Sequence, residues 1–489
     1  MDSLLGNAGE DIADEDWSFD QDMVGSQYTG FTPETCKRLR QYEDEDVGGG
    51  RGHASLPADG GQSALPMHTW SSSDAPRTLV TERSRYVTAW DSNIGQLVKA
   101  FLDDELCNSM VGSISRDTLI SLTLFMVTTF SNRILDALIR GDLPARAETD
   151  AGLKRELNAM RTAAQKDTDL PGIYGNFLAD EHGISPNTSQ MRRIIRHVRK
   201  YMDFEGADPA AINEADEIDR LFDPSLSHSE TKHGHRRYLS GGAIGGVLQP
   251  PKDCRLAQVE DFCDRLEARL KDVATADKYK PMDWPLCEFG ISWHLMFRLA
   301  QHECHTQSNY IMNLSEAVAV YLYGAPAYRI RQYVLYIIPY SFLLELAEIF
   351  VTKVGYGMVR FGGGFCHAFA GRNNWHGHEL TDDRWEAITK TANGLVDFEE
   401  NQRTYVAGIE EASKRVDEEI EKLKRQRWLE TEHAQKAADE AYMNLTNALA
   451  VTPEEARLHR ALQNMLRAVP QLLRDQHEEG GPGNGSWRT

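Results

Sequence analysis

The most apolar stretch of this chain, RIRQYVLYIIPYSFLLELAEIF from Arg329 to Phe350, limits its fold most tightly, because so much apolar surface must be withdrawn from water. Lipid is a poor destination for it. The uncharged run from Gln332 to Leu344 falls short of the ~20 apolar residues that span a bilayer. Glu345 and Glu348 follow at once, and carboxylates are costly in hydrocarbon. Pro339 removes a backbone donor in mid-run and kinks or ends a helix there. The second apolar run, TLISLTLFMVTTF from Thr118 to Phe130, is also short and is diluted by Ser and Thr. No cationic segment precedes an apolar one at the N-terminus, so no secretory signal is read. Both runs are expected to be core helices of a soluble protein.

A chain of 489 residues can bury one large core or two to three ordinary domains. Cys36, Cys107, Cys254, Cys263, Cys287, Cys304 and Cys366 are scattered, odd in number and without a CxxC pair. That usage suits a reducing compartment, in which thiols act as small core hydrophobes. Formal net charge is −21, and its distribution matters more than its total. Residues 1–75 carry 4 basic and 15 acidic side chains, residues 76–400 carry 36 and 44, and residues 401–489 carry 13 and 15. Even the central part is acidic and repels nucleic acid as a whole, so RNA contact requires a local patch.

The expected class is mainly α: a large helical core, preceded by a disordered acidic segment and followed by a helical arm. Residues 1–77 mix acid runs such as EDIADED and YEDEDVGGGRGH with glycine, and carry too little apolar surface to offset ordering entropy. They read as a solubilising tail, or, through WSF at Trp17–Phe19, as a docking peptide. Residues 78–395 form the core. There NLSEAVAVYLYGAP offers Asn313 or Ser315 as a helix cap and Gly324 as the stop. SISRDTLISLTLFM has a Ser start. VEDFCDRLEARLKDV spaces Val259, Phe262, Leu266, Leu270 and Val273 at helical intervals. Few stretches alternate, so strands are expected to be scarce. Glycine-rich loops at Gly241–Gly246 and Phe361–Phe365 break the helices.

Residues 396–480 read as a charged helical arm, with 481–489 a flexible tail. Glu410–Lys414, Glu411–Arg415, Glu418–Lys422 and Glu421–Arg425 have the spacing of helix-supporting ion pairs. Ile409, Val416, Ile420 and Leu423 make a narrow apolar seam. Thr452, Pro453 and Glu455 open a second helix with a capping box. On it Leu458, Leu462, Met465, Leu466, Val469, Leu472 and Leu473 share one face, which needs cover either from this chain or from another subunit.

Catalytic and metal signatures are sparse. HGH at His233–His235, WHGHE at Trp375–Glu379 and HECH at His302–His305 invite a metal reading, but none has the HExxH spacing or a complete second ligand pair. The histidines are therefore expected to be structural, with no metal or cofactor. No GxSxG elbow, cysteine nucleophile signature or GxxxxGK[ST] loop is present, so the chain reads as a non-enzyme.

The sharpest constellation is electrostatic. In TSQMRRIIRHVRKYM the residues Arg192, Arg193, Arg196, Arg199 and Lys200 share one helical face, opposite Met191, Ile194, Ile195, Val198, Tyr201 and Met202. Such a stripe can grip phosphate backbone or pair with the protein's own carboxylates. Arg236 and Arg237 are candidates to extend it.

A mainly helical, acidic chain with a polar N-terminal segment and a helical C-terminal arm resembles the capsid proteins of partitivirus-like double-stranded RNA viruses of fungi and plants. The likeness lies in length and in segments such as Ile120–Leu138 and Val320–Pro339, which look like the aromatic-rich core helices of that family. It implies a helical shell domain, homodimers as building blocks and an icosahedral particle assembled in the host cytoplasm. Its partners are then further copies of itself, genomic RNA and an RNA-dependent RNA polymerase, with no membrane. Two alternatives are weighed beside it: a nucleoprotein coating single-stranded RNA of a negative-strand virus, and a cellular helical scaffold. Subunit contacts are expected at Leu458, Leu462, Met465, Leu466 and Val469, and at the tyrosine-rich segment between Tyr321 and Tyr340.

Overall fold

The computed structural model describes residues 79–465, apart from 104–114, 204–207, 225, 227–235, 241–242, 245–246, 249, 272, 274–276, 307, 368–379 and 450–451. The acidic segment 1–77, His233–His235, Trp375–Glu379, and Leu466, Val469, Leu472 and Leu473 therefore lie outside the described residues.

Helices lead the described chain: α1 (Leu79–Ser92), α2 (Ile94–Leu102), α3 (Arg116–Thr128), α4 (Asn132–Arg140), α5 (Leu143–Thr149) and α6 (Ala151–Lys166). After β1 (Gly172–Ala179) come α7 (Thr188–Met202), α8 (Pro209–Arg220), the short hairpin of β2 (Ala243–Ile244) and β3 (Val247–Leu248), and α9 (Asp253–Lys271). Next are β4 (Cys287–Ser292), α10 (Leu295–Glu303), α11 (Tyr310–Tyr323), β5 (Arg329–Ile337), α12 (Leu344–Val354) and α13 (Asp382–Leu395). The last elements are α14 (Phe398–Leu449) and a helix over 453–465. The fold is mainly α, and local signals set many of its ends. Ser131 caps α4 by accepting from the Ile134 N–H, and Gly141, at φ 72°, closes it in the left-handed region that glycine enters without strain.

One expectation fails at the opening stretch. Arg329–Ile337 is a strand, Ser341–Leu343 a 3₁₀ turn, and only Leu344 onward is helical. Ile330, Tyr333, Val334, Tyr336 and Ile337 are β-branched or aromatic, types that fit a pleated surface, and Pro339 lies just beyond the strand. β5 completes an antiparallel three-stranded sheet of order β4-β1-β5. Central β1 is buried at every position, so its sequence has no alternation to read. Gly290 of β4 faces Tyr174 of β1, and a Cβ there would collide with the tyrosine hydroxyl.

The described residues hold two apolar clusters, and the sheet belongs mainly to the first, which takes side chains from both of its faces. Ile173, Tyr174 and Phe177 of β1 pack with α1–α6 and α12, whereas Leu178 joins α7, α8, α9 and α11. Tyr336 points into the first cluster, stacked 4.7 Å from Phe130, with its hydroxyl 2.6 Å from that of Thr129. Asn309, not Asn313 or Ser315, caps α11; those two are buried within it. Gly324 ends the helix as the sequence indicates. Val259, Phe262, Leu266 and Leu270 are buried on α9, while Val273 lies past its end. The free thiols among the described cysteines are Cys254, Cys263, Cys287 and Cys366, whereas Cys304 is disulfide-bonded, against the expectation of reduced thiols throughout. No single helix among the described residues is long and apolar enough to cross a membrane; α3 and α4 meet that test only as a pair bent by 107°.

The chain divides into two units after Ile409. In the second unit, α14 is exposed at every described position from 410 to 434. Among the described residues its ion pairs in this unit are Glu419–Lys422 and Glu421–Lys424, at i,i+3 rather than the expected i,i+4. Further along, Tyr442 donates its hydroxyl hydrogen to the carbonyl of His459, so the helix 453–465 lies against the end of α14. It does so through Ala456, His459 and Gln463, leaving Leu458, Leu462 and Met465 exposed at 76%, 51% and 70%.

Candidate functional site

Helix α7 carries the basic stripe, and its two halves have different surroundings. Asn187 caps the helix and forms a capping box with Gln190. Met191, Ile194, Ile195, Val198 and Tyr201 are buried, which turns the cations outward. In the C-terminal half Arg199 meets Asp264 at 2.5 Å and Glu267 at 3.3 Å, and Lys200 meets Glu214 at 2.6 Å. These two pair with the chain's own carboxylates, the second of the two roles weighed for the stripe.

The N-terminal half is different. Ser189, Arg192, Arg193, Arg196 and Lys278 line a cavity of about 240 Å³, and no carboxylate is among them. Arg192 donates to the carbonyl of Leu270 at 2.9 Å, and the Arg193 guanidinium lies 5.6 Å from the centroid of the Tyr323 ring. Neither contact cancels charge. The Ser189 N–H donates to the Lys278 carbonyl at 3.1 Å, fixing the lysine beside the helix start. Lys278 Nζ sits 4.8 Å from the Tyr279 ring centroid, and Tyr279 is 69% exposed. Four cations around one cavity with an adjacent open ring suit a phosphate-bearing ligand. Lys278 and Tyr279 were missed in the sequence, although the tripeptide KYK at Lys278–Lys280 is the signal for them.

Arg236 and Arg237 do not extend this patch. Arg236 is 0% exposed and donates from Nε to the Tyr201 carbonyl at 2.9 Å. Arg237 donates its backbone N–H to Asp219 and its guanidinium to the carbonyls of Cys304 and His305. Both fasten the segment after α8 to the core.

The HECH histidines are also interior, each with its own carboxylate. His302 faces the Tyr174 hydroxyl at 3.1 Å and Glu288 at 3.5 Å. His305, at φ 54°, stacks on Phe222 with 3.6 Å between centroids. Its Nε2 is 2.9 Å from Glu316, which Arg329 approaches at 2.6 Å, and its Nδ1 is 2.8 Å from the Tyr238 hydroxyl. Burial drives the His305 imidazole down to about 4, against the pull of Glu316. Burial pushes the Glu316 carboxyl up, but His305, Arg329 and the Ile330 N–H outweigh it and hold it at about 2. At neutral pH the uncharged ring thus donates from Nε2 to the Glu316 anion and accepts from Tyr238 at Nδ1. Cys304 is disulfide-bonded, and among the described residues no group of three His, Cys, Asp or Glu side chains is placed to hold a metal. Comparison with protein-family models, with curated proteins and with solved structures finds no match to this chain.

Proposed function

We propose that this chain is a structural protein that joins copies of itself into a closed shell around a viral RNA genome. The distribution of exposed apolar side chains carries the reading. Of the seventeen large apolar residues exposed among the described ones, twelve lie between Val406 and Met465. A monomer with most of its open apolar surface on one charged helical arm is suited to self-association. The carboxylate-free cavity at Arg192, Arg193, Arg196 and Lys278 supplies a local phosphate contact on an otherwise acidic protein. Exposed Tyr279 favours a second reading, a nucleoprotein on single-stranded RNA, because an open ring stacks on unpaired bases.

Negative-stain imaging of the expressed full chain, with nuclease digestion of what co-purifies, tests both. Isometric particles holding nuclease-protected RNA are the expected result. A helical RNA-sheathed polymer selects the nucleoprotein, and a discrete small oligomer selects a cellular scaffold. A protein that sediments as a monomer across micromolar concentrations refutes self-assembly altogether.

A further inference from the structure

We infer that α14 pairs with α14 of a second copy in antiparallel orientation, across residues 409–434. The pairing rests on the self-association proposed above but not on a closed shell. Ile409, Val416, Ile420 and Leu423 are all exposed, and at 100° per residue they fall within an arc of about 60°. Among the described residues of this unit nothing covers them, since the helix over 453–465 lies beyond this stretch, against the end of α14. Arg427 and Ala434 continue the same line.

Charge selects both the occupant and its direction. Residues 410–421 carry Glu410, Glu411, Asp417, Glu418, Glu419 and Glu421 against Lys414 and Arg415. Residues 422–427 carry Lys422, Lys424, Arg425 and Arg427 with no acid. An antiparallel copy lays the acidic block of each helix on the basic block of the other. When Ile420 meets Leu423 of the second copy, heptad geometry brings Asp417 beside the copy's Lys424, twice by symmetry, and Glu419 beside Gln426. Arg427 then lies over Val416, where its methylene stem adds apolar cover. Sliding by one heptad sets Asp417 against Asp417 and Glu419 against Glu419. A parallel in-register pair gains Glu419–Lys424 but puts Arg427 on Arg427 and Glu430 on Glu430 within the seam. In the single chain Lys424 forms an ion pair with Glu421 of its own helix, both largely exposed, and also feels Asp417 one heptad back, an arrangement easily exchanged for an intermolecular one.

The test is sedimentation of full-length wild type, Asp417→Lys, Lys424→Asp and the double exchange, at low and high salt, with helicity checked by circular dichroism. Each single exchange is expected to weaken the wild-type dimer about tenfold at low salt, and the double exchange to restore it to within about threefold. A double exchange no better than the singles overturns the antiparallel register, because a parallel pair has no Asp417–Lys424 contact to rebuild. Wild-type association unaffected by any exchange overturns the α14 interface itself. Particles that assemble normally from Lys424→Asp leave the shell reading intact and refute this pairing. Dimers that obey the exchange but never form particles support the pairing and refute the shell.

Discussion

Helices α11 and α14 illustrate two ways a helix is held in this molecule. α11 is buried without a break from Ile311 to Val320, while α14 is exposed at every described position from 410 to 434. A helix surrounded by core keeps its shape through packing, and its single carboxylate, Glu316, must find partners inside. A helix surrounded by water depends on local propensity and weak neighbouring pairs until something covers its seam. Apolar residues therefore mean different things in the two: stability in α11, unfilled contact in α14.

The largest test of that difference removes the carboxylate of Glu316. Glu316→Ala leaves His305 and Arg329 facing each other in the core and is expected to cost roughly 3–5 kcal/mol by urea unfolding. Glu421→Ala in α14 should leave the midpoint unchanged. If the two variants lose stability equally, the contrast is wrong.

Apolar truncation is the next probe. Met312→Ala, at a fully buried site, is expected to cost about 2–5 kcal/mol. Leu423→Ala should leave unfolding of the first unit intact while weakening self-association in sedimentation.

The pH dependence sharpens the account of α11. The folded-state pKa of His305, about 4, lies below its unfolded value of 6.5, so its contribution is present above pH 6.5 and is lost as pH falls through 4. Glu316, at about 2 against 4.5 unfolded, contributes above pH 4.5 and loses that contribution as pH falls through 2. The denaturation midpoint should thus decline steadily below pH 6.5, and Glu316→Gln should flatten the lower part of that decline. A midpoint constant from pH 7 to 4 contradicts the buried neutral imidazole.

The smallest effects on stability belong to the basic stripe. Arg192→Gln with Arg196→Gln should weaken binding to polyphosphate or RNA and reduce the salt slope by about one per cation, with unfolding unchanged. Arg199→Gln should leave the slope alone and cost up to about 1 kcal/mol, because that residue sits among Asp264 and Glu267. Equal binding losses from both would erase the division of α7.

By itself the sequence determined the mainly helical class, the span of α7 with its buried and charged faces, the Gly324 stop and the long charged helix near the C-terminus. Each depends on spacing within one segment, where helical period, caps and charge are local properties. Only the tertiary structure decided that Arg329–Ile337 is a strand, because fully buried β1 supplies the hydrogen bonds that make it one, and an apolar run carries no period to say so. Only the tertiary structure divided the stripe: Arg199 and Lys200 meet acids from α9 and α8, whereas Arg192, Arg193 and Arg196 share a cavity with Lys278. It likewise placed Arg236 inside and Lys278 at the cavity. A cation's availability depends on which carboxylates the fold brings within a few ångströms, and residues tens of positions away along the chain supply them.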